Sequence, residues 1–309
     1  VSEICFACDN TTVRGAAFYD TRDIHRLAVM ANRDDPEGAR IEKHLREWLE
    51  REGKDLNLEV VRVNADDPQV PWQEYGIPSA PPTVPVVVLS GTSRTERKFF
   101  LIDHWEPEPT EADLQALASS PVREALRTEL GKRVVVLLHI PASSAPSPDV
   151  EKVLAGVAQS DAAKPLGVAV LTMNRGDPNE RVLASFVGGK EGEECVAAVF
   201  GPGRLMPPLV GREISEAQIG QLMDLVKAKC TCLRPPSSYG VDIPMSWTKE
   251  LSDAALALPT ALDERVAAAS RPTLSRRIMG PTLWTLGALL VLVAASAGAL
   301  FWLRRDMAF

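Results

Sequence analysis

The residues best equipped for chemistry are five cysteines in three settings. Cys5-Phe6-Ala7-Cys8 has the C-x-x-C spacing of a redox dithiol, in which one thiolate attacks a disulfide and the second resolves it. It precedes the first apolar strand pattern, so it reads as a displaced motif. Asp9 stands where haem attachment would need His. Cys230 and Cys232 are too close to bond each other in ordinary disulfide geometry. A bridge from Cys5 or Cys8 to Cys230 or Cys232 would tie the start of the chain to the end of its second half. A four-thiolate zinc site is the alternative use of the same residues. Cys195 heads an apolar run and reads as a buried, unreactive thiol.

Other chemistry is sparse. His25, His44, His104 and His139 are dispersed, with no metal-ligand spacing. No phosphate loop, nucleophile elbow or outstanding carboxylate pair occurs, so neither a cofactor nor a metal is expected. Net charge is −7 and the basic residues are scattered, which argues against nucleic acid as a partner. Trp72, Tyr75, Trp105 and Trp247 read as core or interface anchors before they read as a cleft lining.

The elements that would position these residues come as a duplication. Val63-Asn64-Ala65-Asp66-Asp67-Pro68 and Met173-Asn174-Arg175-Gly176-Asp177-Pro178 share an apolar-Asn-x-x-Asp-Pro pattern, about 110 residues apart, one small domain. In the first copy Ile24 to Ala31 is a strand pattern, and Asp34-Asp35-Pro36-Glu37 starts a helix carrying Ile41, Leu45, Trp48 and Leu49. Leu56 to Val63 is a second strand. A hairpin follows, from Val86-Val87-Val88-Leu89 through a tip at Gly91 to Arg97 into Phe99-Phe100-Leu101-Ile102, and a helix capped by Thr110 closes the copy. In the second copy the strands are Val134 to Ile140 and Leu166 to Met173, with a helix from Ser147-Pro148-Asp149 between them. The hairpin runs from Cys195 to Phe200 and from Leu205 to Val210, and Ser215 caps the closing helix. The expected segments are 1–23, a first domain 24–120, a second domain 121–232, a linker 233–277, a membrane helix 278–303 and a tail 304–309.

Each copy resembles a thioredoxin-like domain, so the expected fold is α/β, two consecutive thioredoxin-like domains followed by a linker and one transmembrane helix. In the first copy Thr83-Val84-Pro85 resembles the family's cis-proline position, which makes Pro85 the cis-proline candidate. The family's dithiol would fall at Asn32-Arg33-Asp34-Asp35-Pro36 and Pro141-Ala142-Ser143-Ser144-Ala145, and both places lack cysteine. Carboxylates such as Asp34 and Asp35 neither exchange disulfides nor tolerate a thiolate beside them. Both halves therefore read as retired catalysts.

Ile278 to Leu303 has no ionisable residue, long enough to span a bilayer with some tilt. Trp284 and Trp302 stand roughly 27 Å apart along a helix, suited to two interfaces. Gly287, Ala294, Ala295 and Gly298 fall near one face, where small residues admit a second helix. The chain begins with Val1, which fits removal of a signal peptide and a periplasmic bulk with a cytoplasmic tail, although Arg265, Arg271, Arg276 and Arg277 before the helix weigh the other way.

Phe200-Gly201-Pro202-Gly203-Arg204, Leu209-Val210-Gly211, Cys230-Thr231-Cys232 and Gly240-Val241-Asp242 give a looser resemblance to bacterial envelope proteins that accompany ABC-transporter permeases. The expectation is a non-catalytic, membrane-anchored binding or scaffold subunit of a membrane protein complex, its partners the lipid bilayer and an integral membrane protein such as an ABC-transporter permease. The rival is a thiol-disulfide oxidoreductase using Cys5 and Cys8.

Overall fold

Thr12 accepts the Gly15 N–H on its side-chain oxygen and so caps a short helix, α1 (Val13–Ala17). In this computed structural model the described residues are 12–93, 98–143, 146–160, 167–190, 192–228 and 236–257. All lie in one unit, Val1–Val266.

Strand β1 (His25–Ala31) runs parallel to β2 (Leu58–Asn64) across helix α2 (Pro36–Arg51). On its other side β1 pairs antiparallel with β3 (Val86–Ser93), which pairs antiparallel with β4 (Lys98–Trp105). The sheet order is β2-β1-β3-β4. Ile41, Leu45 and Trp48 of α2 recur at helical spacing and are fully buried against this sheet, each contributing about 1.5–3 kcal/mol. The opposite face, Ala28, Met30, Val63, Val86 and Val88, is covered by Val70, Trp72, Tyr75 and Ile77. The strands of the hairpin are longer than expected. A bulge between Leu89 and Ser90 restores register, so that Ser90 to Ser93 pair with Leu101 to Lys98. At Gly91 the Phe100 ring lies over the backbone, and a Cβ would meet it at 2.3 Å, so a side chain there would force the ring to shift.

Helix α3 (Glu111–Ala118) starts with a Thr110/Asp113 capping box, and α4 (Pro121–Leu130) joins the two halves. In the second, β5 (Val135–Ile140) is parallel to β6 (Val168–Thr172) across α5 (Pro148–Gln159). Helix α6 (Arg181–Val187) precedes β7 (Cys195–Phe200), which is antiparallel to β5. The expected strand Leu205 to Val210 is two. β8 (Arg204–Leu205) pairs with Val199 and Phe200, and β9 (Leu209–Val210) pairs with Cys195 and Val196. Pro207 and Pro208 lie between and have no N–H to donate. Helix α7 (Glu216–Lys227) closes the copy behind its Ser215 cap.

The segment 233–277 contains, within its described part, a packed strap. β10 (Val241–Asp242) adds to β8, completing the order β10-β8-β7-β5-β6, and α8 (Lys249–Leu256) follows. Ile243, Met245, Trp247 and Ala255 are buried. Arg22 donates to the Ile243 and Met245 carbonyls, and Arg123 to that of Pro244. One apolar core runs from the α2 face of the first sheet through α3, α4 and α6 to the near face of the second. The far face of the second sheet packs with α5, α7 and α1. The N-terminal helix thus belongs to the second half, where the Val13 N–H donates to the Ala228 carbonyl at 2.9 Å.

Among the described residues no helix is long and apolar enough to cross a membrane. The segment 278–303, with Gly287, Ala294, Ala295 and Gly298, lies outside them, as do Cys5, Cys8, Cys230 and Cys232.

Candidate functional site

The twin Asn-x-x-Asp-Pro segments form the same turn twice. Asn64 Oδ1 accepts the Asp66 N–H (3.3 Å), its carbonyl accepts the Asp67 N–H (3.2 Å), and Asp67 Oδ1 accepts the Gln69 N–H (2.9 Å). In the second copy Asn174 Oδ1 accepts from Gly176 (3.0 Å), its carbonyl from Asp177 (3.1 Å), and Asp177 Oδ1 from Asn179 (2.9 Å). The repeated side chains serve their own backbone, the usual use of Asn and Asp in turns.

Each turn lines a cleft at the carboxyl ends of the parallel strands. Arg33, Asp34, Asn64, Asp66 and Asp67 border the first, of about 660 Å³. Pro141, Ser143, Asn174, Arg175 and Gly192 border the second, of about 390 Å³. The chain bordering each cleft precedes a helix, α2 in the first half and α5 in the second. At the start of each of these helices a carboxylate accepts one backbone amide. Asp35 Oδ1 accepts the Glu37 N–H of α2 at 3.0 Å. Glu194 Oε1 accepts the Ser147 N–H at the N-cap of α5 at 3.2 Å and lies 2.8 Å from His139 Nε2.

Glu194 has a defined relation to Pro85. The peptide before Pro85 is cis. Met30 pairs with Val86 and Ile140 with Cys195, so one step further along each ladder comes Pro85 in the first domain and Glu194 in the second. Neither Glu194 nor His139 stood out in sequence. The signal was the ladder register, which a single sequence leaves implicit.

Cys195 lies beside Glu194 but points to the opposite face of the sheet, into the shared core. It is free and fully buried. Arg175 Nη2 is 3.2 Å from its sulfur, yet burial outweighs that charge and pushes the thiol up from its ordinary value. Such a thiol is a poor nucleophile. No cluster of three His, Cys, Asp or Glu suited to a metal occurs among the described residues. Trp105 and Trp247 are core residues, and Trp72 and Tyr75 cover the first sheet.

A third cleft, of about 370 Å³, lies where β3 and β4 of the first half meet α6, β8 and β10 of the second. Phe100, Phe186, Leu205, Pro207, Pro208 and Val241 make its apolar walls, and Ser93, Ser185 and Ser238 are at its edge.

No family model and no curated relative matches the chain. Among solved structures it is similar to the first two thioredoxin domains of Saccharomyces cerevisiae Eps1p, at 13% identity and TM-score 0.25, covering 58% of this chain and 82% of that one. It is similar to the zinc-bound form of human ERp44, at 16% identity and TM-score 0.25, over 69% of this chain and 56% of that one. The third is the N-terminal domain of alkylhydroperoxide reductase AhpF from Enterococcus faecalis, at 12% identity and TM-score 0.23, over 68% and 95%. The chain spans little more than half the length of the ERp44 it matches. The class is defined by strand order. A β-α-β unit with parallel strands, extended by an antiparallel pair on the side of the first strand, is thioredoxin-like, and this chain has it twice.

Proposed function

We propose that this protein is a non-catalytic, membrane-anchored thioredoxin-like binding or scaffold subunit of a membrane protein complex. The observation that carries the reading is the pair of filled helix N-termini. Asp35 and Glu194 each accept a backbone amide at a helix start, a donor that a reactive thiolate would draw on, and neither place carries a cysteine. What the fold retains is a two-domain body with a continuous core and a composite surface. Function then lies in surfaces grafted on the fold. The segment 278–303 would anchor this body, with most of the chain outside the cytoplasm, and Gly287, Ala294, Ala295 and Gly298 would receive a partner helix such as that of an ABC-transporter permease.

Purification of the full chain in mild detergent tests this reading. A stoichiometric integral membrane protein should co-purify, and Cys8→Ser should leave it bound. A clean monomer, or disulfide-reductase activity abolished by Cys8→Ser, would overturn it in favour of a thiol-disulfide oxidoreductase using Cys5 and Cys8.

A further inference from the structure

The junction between the domains closes on one histidine. His25 opens β1 and is fully buried. Its Nδ1 accepts the Thr92 N–H of β3 at 3.0 Å, and its Nε2 lies 2.6 Å from the Asp242 carbonyl oxygen of β10. A backbone N–H only donates and a carbonyl only accepts, so the ring is held as the neutral Nε2–H tautomer. The ring also meets Phe186 of α6 edge-on, with centroids 4.8 Å apart, and Phe186 meets Phe100 in the same way at 5.4 Å. One imidazole therefore joins β3 of the first domain to β10 and α6 of the second. Phe186, which the ring meets, lines the third cleft together with Phe100 and Val241.

We propose that His25 is an acid-released latch: proton uptake at Nδ1 sets the ring against the Thr92 N–H, so the charged ring must leave its seat, giving up its Nε2 bond to the Asp242 carbonyl of β10 and its packing on Phe186 of α6, which opens the cleft. The charged ring has no place in the closed junction, because a proton on Nδ1 would set two N–H donors against each other across 3.0 Å. The charged groups around it are Asp23 and Arg22 from the segment before β1, and Asp242 from β10. Behind Asp242 stand Arg204 of β8 and Asp20. From β3 and α6 the ring meets Thr92 and Phe186, which do not titrate. Asp23 and Asp242 favour the cation. Burial outweighs them, with Arg22 adding to it, and the imidazole is pushed down to about 4.

The folded value lies below that of an exposed histidine, about 6.5. The hold of the latch is thus complete above that pH and is lost as pH falls toward 4, the opening equilibrium rising about tenfold per pH unit within the window.

Hydrogen exchange by mass spectrometry on the full chain, corrected for intrinsic rates, tests the latch between pH 7.5 and 4.5. Protection at Thr92 and Ile243 should fall about tenfold per pH unit below pH 6.5, while Val136 and Ala197 in the second sheet keep theirs. In His25→Gln, which retains a donor toward Asp242 and cannot gain a proton, the same peptides should show no such slope. Flat wild-type protection, or an equal slope in the variant, overturns the proposal. Should the variant not fold, exchange of the His25 C2 hydrogen in the wild type decides: titration near 6.5 with the junction still protected refutes the latch, and a depressed midpoint matched to loss of protection upholds it.

Discussion

Arg204 and Asp242 show what one residue pair does in this chain. Arg204 Nε and Nη2 reach the two Asp242 oxygens at 3.0 and 2.7 Å, and Nη1 reaches Asp20 at 3.0 Å. Asp242 also accepts the Asp23 N–H at 2.9 Å, and its own N–H returns to Asp23 at 3.0 Å. Both members of the pair are fully buried, so each is tolerable only because the other is present. Gly240 completes the arrangement, since a Cβ there would meet the Leu205 carbonyl oxygen at 2.0 Å. Burial alone would raise the Asp242 carboxyl, but the bonds and charge of Arg204 hold it below the usual carboxylate range. Its contribution is therefore present above the unfolded value of about 3.9 and is lost as pH falls below it, a window separate from that of His25. Asp242→Asn keeps the shape and strands the Arg204 charge. Urea unfolding at pH 7 should show a loss of about 3 kcal/mol, and the double variant Arg204→Met, Asp242→Leu should lose less than Asp242→Asn alone.

At the scale of elements, what was legible in the sequence was local. The strands of both β-α-β units, the Asp35, Thr110 and Ser215 caps and the twin turns each carry their signal within a few residues, as apolar runs, spaced stripes or a side chain reaching a nearby amide. The hidden elements depend on distant partners. The strap at 241–247 has no periodicity, and besides β8 and Arg204 its bonds go to Arg22, Asp23, Asn57 and Arg123, more than 120 residues away in sequence. Helix α6 is one short apolar run whose ends carry no side-chain cap bond. The carboxylate at the start of α5 was equally hidden, since Glu194 meets His139 and Ser147 through the sheet register. The Asp35 cap allows a direct test of whether the first cleft is structural. Asp35→Ala should cost about 1 kcal/mol by thermal or urea unfolding and leave partner co-purification unchanged. Loss of the partner without loss of stability would instead mark Asp35 as a binding residue.

For the molecule as a whole, the decisive fact is that the duplicated halves do not have separate cores. The core that begins under α2 continues through α3, α4 and α6 onto the second sheet, and the strap returns from the second half to cover the first. Unfolding should therefore be one transition by any probe, without a plateau between domains. The N-terminal helix adds a third link. It packs in the second half, where the Val13 N–H bonds to the Ala228 carbonyl. A bridge between the two cysteine pairs would close a loop of about 220 residues and, by loop entropy, would stabilise the fold by about 5 kcal/mol. Mass mapping of the unreduced full chain should find Cys5 or Cys8 joined to Cys230 or Cys232, and reduction should lower the urea midpoint while keeping a single transition. A Cys5 to Cys8 disulfide that opens at mild potential would reverse this reading, because the displaced dithiol would then be free to exchange.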